Sequence, residues 1–576
     1  MAKRTKEHHN GDAATIAALH KVAELMSSTS VQIQQFMRSS AAPPSGGGGP
    51  AGDGSNVNSW DDPFSEAIAT ADPKLAPVAQ LPLGTNSFAA LRTNIADSQP
   101  PAGLYSPGTP EFRYWVAAEA LTRGIKFWGA LLPPGTTWST SNPMQVSLTE
   151  ADPQLNANYT RLFGLRFYSQ KVQNFDIHAG ESPDVVCHEL GHAVLDALRP
   201  QLFNVANTET SAFHESFGDI SAMLCALQVP AMRDAVIKET NGRLNTNSRL
   251  SRLAEQLGWG LRQISPQMVD RDCLRNAMNH FFYKRPDLLP PSADADQLSS
   301  EEHSFSRVFT GAVLDALARM FSASSSRDEA ALAAISRDLG RLLIDAVHGA
   351  PVTKAYFSQI AAAMIQADQA RFAGRNNAEL TGAFLEHGIL SVGSTFRIAS
   401  APVPTPVVPP QGAAASMVGP TGGSVVYSYA DRQSDDAHLL GLGQTPELPV
   451  QPLDVATGLN FHVHAPEQNP RFAVVSFARQ IDGDVTDEAG MRDFVHGLIQ
   501  RQQLDLGSET KSITGSGKKR ASRTTHALQL EDGKTVLKRI CFTCYGRAAK
   551  RSFDTKAFSS EVVVGSCEET RQNNNY

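Results

Sequence analysis

Three features of the sequence predict an α+β fold. Segments with helical spacing or helix-boundary residues recur up to about position 370 and again near position 500. Short segments that alternate apolar and polar residues, as half-buried strands do, lie before, between and after them. Two segments rich in Pro, Gly and small residues divide the chain, which predicts more than one folded part. The helical segments are 183–195, 211–224, 328–348, 354–370 and 491–503, and the strand-like ones are 163–168, 424–429, 459–464, 472–477, 535–542 and 562–564.

The two dividing segments set the predicted domain boundaries. Residues 1–58 contain a flexible linker preceded by a segment with helical spacing at 13–37. That segment is expected to pack on the body of the protein, and a docking helix, a coiled-coil stub and a targeting element are the alternatives. Residues 59–398 form the main domain, and 399–424 a second linker of extended polyproline character. Residues 425–576 are expected to form a separate small domain, either β-rich or α+β.

Composition is typical of a soluble globular protein. The 576 residues, 41% hydrophobic and 19% charged, suffice for about two to four domains with sizeable cores. The net charge of −7 is modest for this length and predicts neither nucleic-acid nor membrane affinity. No run of about eighteen apolar residues occurs, and the charged N-terminus lacks the apolar segment of a Sec signal peptide. We therefore expect a cytoplasmic protein or one exported by a non-Sec route.

The sequence His188-Glu189-Leu190-Gly191-His192 predicts a metal site on a helix. Ser182-Pro183-Asp184 supplies a suitable N-cap, first helical residue and N-terminal acid. Residues four apart lie on the same face of a helix, so His188 and His192 can both direct a ring nitrogen at one Zn²⁺. Glu189 is then positioned to activate a water molecule on the metal. Apolar neighbours predict a buried helix, where these polar groups are costly without a purpose.

The segment 211–224 predicts a second helix that completes this site. Glu215 and Asp219 are four residues apart on one face, and Glu215 supplies the third protein ligand of a catalytic zinc. Asp219 can accept the free ring N–H of a ligating histidine, which fixes its tautomer. The alternative is an amphipathic helix with two solvated acids. Burial is favoured by four large apolar residues, Phe213, Phe217, Ile220 and Leu224.

These motifs together resemble the thermolysin-like branch of the gluzincin zinc metallopeptidases. The resemblance rests on H-E-x-x-H followed downstream by Glu-x-x-x-Asp, and it covers roughly residues 85–395. It extends to 111–121, which is similar to the long helix of the family's N-terminal lobe, and to 328–348 and 354–370, which are similar to its helical lobe. It implies a two-lobed zincin fold, with a mixed α/β lobe up to about residue 195 and a helical lobe after it.

The same resemblance assigns further site residues. Asn156 and Ala157 are similar to the family's edge strand, whose backbone pairs with an extended peptide substrate. His303 corresponds to the second catalytic histidine, which stabilises the oxyanion. The implied function is hydrolysis of peptide bonds by a zinc-activated water, with Glu189 and His303 as the catalytic residues and a peptide or protein as substrate.

The chain departs from the family at three positions. Phe203 replaces a tyrosine that helps to bind the oxyanion, and the loss of such a donor typically costs about 3 kcal/mol. Tyr168 is the candidate replacement. Leu298 stands where the family has an acidic partner for its second histidine, although Asp296, Glu301 and Glu302 are near. The acidic cluster that binds structural calcium is not evident after Asp219, so calcium dependence is doubtful.

The region 425–576 lies outside the resemblance. Residues 509–556 are strongly basic, which predicts a solvated face rather than a surface for nucleic acid or an acidic partner. A protein partner that binds 425–576 is the remaining alternative for this region. Cys541 and Cys544, with Cys567 nearby, offer a disulfide or half of a second zinc site for which His526 is the only further ligand evident.

The sequence therefore predicts a zinc-dependent endopeptidase. Two alternatives stay open because of Phe203 and the uncharacterised C-terminal region. One is a zinc-binding or zinc-free pseudopeptidase that acts by binding. The other is a multidomain effector in which residues 425–576 select the target.

Overall fold

The computed structural model describes residues 62, 76–77, 90–101, 104–105, 107–400, 448–456, 459–506 and 524–544. These residues belong to one unit, which begins at Ser55. It contains both helices and strands in quantity, so the predicted α+β class is confirmed. Several predicted features lie outside the described residues: the helix at 13–37, most of both linkers, the strands at 424–429 and 562–564, the basic run at 518–520 and Cys567.

A mixed sheet and a long helix form the N-terminal part. The strands before residue 180 are β1 (Ala76–Pro77), β2 (Thr93–Ile95), β3 (Leu104–Tyr105), β4 (Met144–Ser147), β5 (Ala157–Thr160), β6 (Gly164–Phe167), β7 (Ser169–Val172) and β8 (Phe175–His178). In the sheet, β2, β4 and β6 are parallel and β5 is antiparallel to β6. Helix α1 (Pro110–Gly129) begins where the Thr109 side chain accepts the backbone N–H of Phe112.

Helices dominate the next part of the chain. They are α2 (Pro183–Leu198), α3 (Thr208–Ala226), α4 (Pro230–Thr240), α5 (Glu255–Ile264), α6 (Glu302–Ala323), α7 (Glu329–Gly349), α8 (Tyr356–Phe372), α9 (Asn377–Glu386) and α10 (Val392–Ser400). The helices predicted at 183–195, 211–224, 328–348 and 354–370 correspond to α2, α3, α7 and α8 and are confirmed. Two short antiparallel strands, β9 (Arg252–Leu253) and β10 (Arg275–Asn276), lie between α4 and α6.

A second mixed sheet lies in the C-terminal part. Its elements are β11 (Val450–Ala456), β12 (Leu459–His464), α11 (Phe477–Asp482), α12 (Asp487–Gln500), β13 (Leu504–Asp505), β14 (His526–Glu531) and β15 (Lys534–Arg539). Within the described ranges the strand order is β11-β12-β15-β14-β13. The strand predicted at 459–464 and the helix predicted at 491–503 are confirmed as β12 and α12. Side chains of β11, β12, α12 and β15 form a small core of their own.

The C-terminal part also packs on the helices of the main domain. Arg479 on α11 forms a buried ion pair with Glu209 on α3, at 2.8 Å, and Arg539 on β15 forms another with Glu302 on α6, at 2.7 Å. Phe472 and Val474 belong to the same apolar core as the main-domain helices. Buried ion pairs and apolar packing therefore both join the described C-terminal residues to the helical part.

The last described strand leaves the C-terminal sheet and joins the N-terminal one. Strand β16 (Phe542–Thr543) pairs antiparallel with β5, with Phe542 opposite Tyr159 and Thr543 opposite Asn158. The N-terminal sheet therefore has the order β16-β5-β6-β4-β2 among the described strands. The prediction of a single strand at 535–542 is wrong in this respect, because β15 ends at Arg539 and β16 begins at Phe542, in the other sheet.

The strand predicted at 472–477 is also wrong. Residues 473–476 have no regular secondary structure, and α11 begins at Phe477. Their backbone N–H groups bind side chains instead: Phe472 donates to Gln359 Oε1 (3.1 Å) and Val475 to Ser394 Oγ (2.9 Å). The alternation in sequence reflects the burial of Phe472 and Val474 against helices rather than pairing in a sheet.

Candidate functional site

The packing of α2 against α3 brings the three predicted metal ligands together. His188 and His192 lie one turn apart on α2, and Glu215 lies opposite them on α3; none is more than 2% exposed. His188 Nε2 is 3.3 Å from Glu215 Oε2, and His192 Nε2 is 3.7 Å from Glu215 Oε1. One ligand atom from each of the three residues lies within 4.8 Å of the others, so the group could hold a metal ion.

Two glycines allow this close approach of the helices. A Cβ atom on Gly191 would lie 2.8 Å from Ser221 Cβ and 3.0 Å from Gly218 Cα. A Cβ atom on Gly218 would lie 2.7 Å from the His188 ring. Gly191 is costly in a helix interior by about 1 kcal/mol relative to Ala, and the short distance to α3 is the reason for its presence.

The donor atoms of this group suit a metal. His188 Nε2, His192 Nε2 and both oxygens of Glu215 are buried without a hydrogen-bond partner. Leaving several such groups buried and unsatisfied would cost about 1–3 kcal/mol each. Two imidazole nitrogens and one carboxylate are the ligand set of catalytic zinc sites that keep a further position for water or substrate. The residues present therefore fit a zinc ion.

His188 is supported from behind by a carboxylate and a guanidinium. Its Nδ1 lies 3.0 Å from Asp219 Oδ1, as the sequence predicted. Arg275 on β10 donates to both oxygens of Asp219, at 2.7 and 3.1 Å. Burial raises the pKa of Asp219, but Arg275 and His188 outweigh it and hold that pKa well below its usual range. Asp219 is thus an ionised acceptor that directs the opposite ring nitrogen of His188 towards Glu215.

His192 is supported by a neutral neighbour instead. Its Nδ1 lies 3.2 Å from Nδ1 of His214, which precedes Glu215 on α3. Burial lowers the pKa of both histidines well below the ordinary value, so both rings are neutral. A hydrogen bond between two Nδ1 atoms requires opposite tautomers. If His192 keeps Nε2 free as a ligand, its Nδ1 carries the proton and donates to His214.

Glu189 lies beside the group with both carboxyl oxygens buried and unpartnered. Burial raises its pKa, and Glu215 adds to the effect while His188 opposes it, so that the pKa is about 8. A carboxyl group in this range can accept and return a proton near neutral pH.

His303, near the start of α6, points into the same site. Its Nδ1 lies 2.6 Å from Glu301 Oε1, and its Nε2 lies 2.5 Å from the backbone oxygen of Thr543. Nε2 also lies 3.2 Å from Glu215 Oε2. All three neighbours are acceptors, so both ring nitrogens must carry protons. Burial lowers the pKa of His303, but Glu215 and Glu301 outweigh it and raise the pKa to about 10. Of the three acids near His303 in sequence, Glu301 is the one in contact with its ring.

Asn156 and Ala157 lie at the start of β5, on the strand that was predicted to bind substrate. The backbone oxygen of Ala157 accepts the N–H of Cys544 at 3.0 Å, so this edge of β5 is already paired with the chain itself. The Asn156 side chain accepts the N–H of Ala157. A cavity of about 360 Å³, lined by Asn156, Tyr168 and Thr543 among others, adjoins this edge.

Phe203 supplies no oxyanion donor, and the hydroxyl of Tyr168, the candidate replacement, is bonded elsewhere. Phe203 is buried, with Arg161 over its ring at 4.2 Å and the Phe542 ring edge-on at 5.4 Å. Tyr168 uses its hydroxyl to accept a hydrogen bond from Asn158 Nδ2 at 2.9 Å. Phe203 therefore serves packing, and Tyr168 lies beside the cavity rather than at the oxygen of Thr543.

Asp184, interpreted from the sequence as a helix N-terminal residue, lies in the first turn of α2. It accepts the N–H of Ala254 at 3.1 Å. It also belongs to a group with Asp62 and Glu255 in which one carboxylate oxygen of each lies within 4.8 Å of the others. Arg252 lies 3.3 Å from Glu255 and balances part of this charge.

The cysteines of the C-terminal region do not form the pair suggested by their spacing. Cys541 and Cys544 are both buried free thiols. Cys541 Sγ points at the backbone oxygen of Thr524, whereas Cys544 Sγ groups with His188 and Glu189. Neither is grouped with His526 in the described part of the chain. A disulfide between Cys541 and Cys544 is therefore wrong, because the two thiols point to different surroundings. The second zinc site also involves Cys567, which lies outside the described residues, and stays a prediction.

Sequence reasoning missed three residues of this site. Arg275 lies on a two-residue strand without a recognisable motif, and Cys544 reaches the site from the far end of the chain. His214 had a local signal, since it precedes Glu215 on a helix predicted to be buried. Among the described residues no single helix is long and apolar enough to cross a membrane, and only α3 and α4 taken together, at a bend of 101°, meet that test. Comparison of the sequence with known protein families and with curated proteins found no match.

Proposed function

We propose that this chain is a zinc-dependent endopeptidase of the thermolysin-like type. The observation that carries the proposal is the convergence of unpartnered atoms of His188, His192 and Glu215 beside an unpartnered Glu189, with His303 bound to a peptide oxygen. Zinc bound there would supply a Lewis acid that polarises a carbonyl group and acidifies a water molecule.

The chain's own residues supply the remaining chemistry. Glu189 takes the proton of the attacking water and passes it to the nitrogen of the departing amine. His303 donates from Nε2 to the carbonyl oxygen on which negative charge develops, while Glu301 holds its ring in place. The edge of β5 orients an extended peptide through its backbone, and Ala157 accepts an N–H. Asp219 and Arg275 fix the orientation of His188.

The test uses the full chain loaded with zinc, and measures metal content together with hydrolysis of a casein-type substrate. Since residues 541–544 occupy the edge of β5, the variant Phe542→Asp is assayed beside the wild type to weaken that strand. We expect one zinc per chain and cleavage that falls by about 10²–10⁴-fold in Glu189→Gln, since a general base typically contributes that factor. Glu386→Gln, at a surface ion pair, is the control and keeps full activity.

The packing role of Phe203 favours one alternative, a zinc-binding protein that acts through protein binding. It predicts one zinc per chain and no cleavage by the wild type or by Phe542→Asp. That result would overturn the endopeptidase proposal. A multidomain effector in which residues 425–576 select the target predicts instead that substrate choice changes when this region is altered and the zinc site is intact.

A further inference from the structure

The cleft beside the candidate metal site contains an extended strand from the same chain. Strand β16 pairs antiparallel with β5, and the N–H of Cys544 donates to the backbone oxygen of Ala157 at 3.0 Å. Phe542 is fully buried, with its ring stacked on His214 at 3.8 Å and on His192 at 4.7 Å between ring centres. The segment thus makes the backbone contacts of an added strand and has one side chain held in an aromatic pocket.

Two side chains of the site contact the two consecutive carbonyl oxygens of this segment. His303 Nε2 lies 2.5 Å from the oxygen of Thr543, and Arg275 Nη1 donates to the oxygen of Cys544 at 2.7 Å. The peptide bond from Thr543 to Cys544 lies between these two contacts. Its carbonyl oxygen is therefore the one already bound by the residue proposed to stabilise an oxyanion.

The side chain of Cys544, which follows this bond, lies close to the proposed general base. Cys544 Sγ lies within 4.8 Å of a ring nitrogen of His188 and of a carboxyl oxygen of Glu189. The three candidate metal ligands form a different group, with Glu215 and His192 in place of Glu189 and Cys544. The thiol thus forms a group with His188 and Glu189 that could also hold a metal ion. The backbone of the segment makes the contacts that a substrate needs.

Several buried contacts fix the end of β15, which immediately precedes this segment. Immediately before it, Arg539 forms the buried ion pair with Glu302 and donates to Ser211 Oγ at 2.9 Å. Its backbone N–H also donates to the side chain of Asn204. A peptide bond held in this way needs no diffusional encounter, and such preorganisation is worth several orders of magnitude in effective concentration.

We propose that the chain is its own first substrate and hydrolyses the bond between Thr543 and Cys544. This rests on the proposed peptidase function. Water adds its oxygen to the carbonyl carbon of Thr543, the bond to the Cys544 nitrogen breaks, and the proton taken by Glu189 is transferred to that nitrogen. The products are a chain that ends in the Thr543 carboxylate and a peptide that begins with the free amine of Cys544. Loss of the peptide frees the backbone oxygen of Ala157, which Cys544 occupies, whereas Phe542 and Thr543 stay paired with β5.

The test follows the full chain after zinc is added to metal-free protein. Intact mass measures the two products, and a thioester reagent that captures only an N-terminal cysteine labels the released peptide. We expect release in the wild type at a rate independent of protein concentration, and loss of release by at least about 100-fold in Glu189→Gln. A tagged Glu189→Gln chain mixed with wild type should stay intact, since the cleavage is intramolecular.

Three substitutions in the segment separate the roles of bond and thiol. Cys544→Pro removes the N–H that donates to Ala157 and should abolish release while zinc content stays the same. Cys544→Ala keeps the backbone contacts and should still be cut at the same bond, as judged by mass. Cys541→Ser, whose side chain points away from the site, is the matched control and should be cut like the wild type.

The outcomes distinguish this proposal from the function on which it rests. No release by the wild type, with casein cleavage by Phe542→Asp, would overturn self-cleavage and leave the peptidase function standing, with the segment as an inhibitory plug. Release that depends on Glu189 but occurs at another bond would overturn the assigned position. Neither release nor casein cleavage would overturn both proposals.

Discussion

The two histidines of the candidate metal site lie one helical turn apart and have opposite surroundings. His188 contacts Asp219, which forms an ion pair with Arg275. His192 instead contacts the neutral ring of His214, which is stacked on the aromatic ring of Phe542. The Asp219–Arg275 ion pair increases the basicity of His188 and fixes its tautomer. The neutral contact only orients the ring. The difference teaches that two ligands of one motif need not contribute equally to metal binding.

The largest expected effect is on the free energy of unfolding, and it comes from removing Arg275 from the Asp219–Arg275 ion pair. Arg275→Met leaves Asp219 as a buried charge without its cation, which typically costs about 3–5 kcal/mol in the free energy of unfolding. Urea unfolding followed by circular dichroism measures it. The control is Arg319→Met at the exposed pair with Glu386, where the loss should stay below about 1 kcal/mol. Equal losses in the two variants would show that Asp219 does not depend on Arg275.

A smaller effect is expected on zinc affinity, and it should differ between the two histidines. Asp219→Asn removes the ionised acceptor behind His188 and should weaken zinc binding by about 10–100-fold. His214→Leu removes one neutral hydrogen bond, worth about 1 kcal/mol, and should weaken it by about fivefold. Competition with a chromophoric zinc chelator measures both. If the two variants lose the same zinc affinity, the Asp219–Arg275 ion pair does not strengthen zinc binding by His188.

The smallest expected effect is on the pH dependence of stability, and it concerns Glu119, a buried carboxyl group whose pKa is raised rather than lowered. Burial outweighs the nearby Arg123 and raises the pKa of Glu119 on α1 to about 8, so the folded state keeps a proton that the unfolded state loses near pH 4.5. Stability from this group is present below pH 4.5 and is lost as the pH rises towards 8. Glu119→Gln should therefore lessen the fall of the unfolding midpoint between pH 5 and 8, as measured by thermal unfolding at several pH values. An unchanged slope would place the pKa of Glu119 near its ordinary value.

The residues of the site that sequence could predict are those fixed by helix geometry. His188, His192, Glu215 and Asp219 follow from spacings of four on two helices, and the structure brings them together. Glu301 was one of three acids near His303, and sequence alone could not choose among them because helix capping decides which one reaches the ring: Glu301 also accepts the N–H of Ser304.

The remaining contacts are long-range in sequence. Arg275 reaches the site on one of two paired two-residue strands that are separated in sequence by helix α5, and β16 reaches it after the chain has completed a second sheet. A local pattern carries no information on such pairings. The strand wrongly predicted at 472–477 shows the converse, because burial of every second residue produced the pattern of a sheet where side chains of helices bind the backbone.

The missing methyl groups of Gly191 and Gly218 set how closely the candidate ligands of the proposed zinc site approach one another. Bonds from zinc to histidine nitrogen are about 2.0–2.1 Å long, and a workable site keeps them within about 0.2 Å. A Cβ atom at either glycine would lie 2.7–2.8 Å from an atom of the facing helix or ring, so the helices would have to separate by more than that tolerance. The geometry of the proposed zinc site therefore depends on two residues that are not among its candidate ligands, and we expect an alanine at either position to weaken zinc binding.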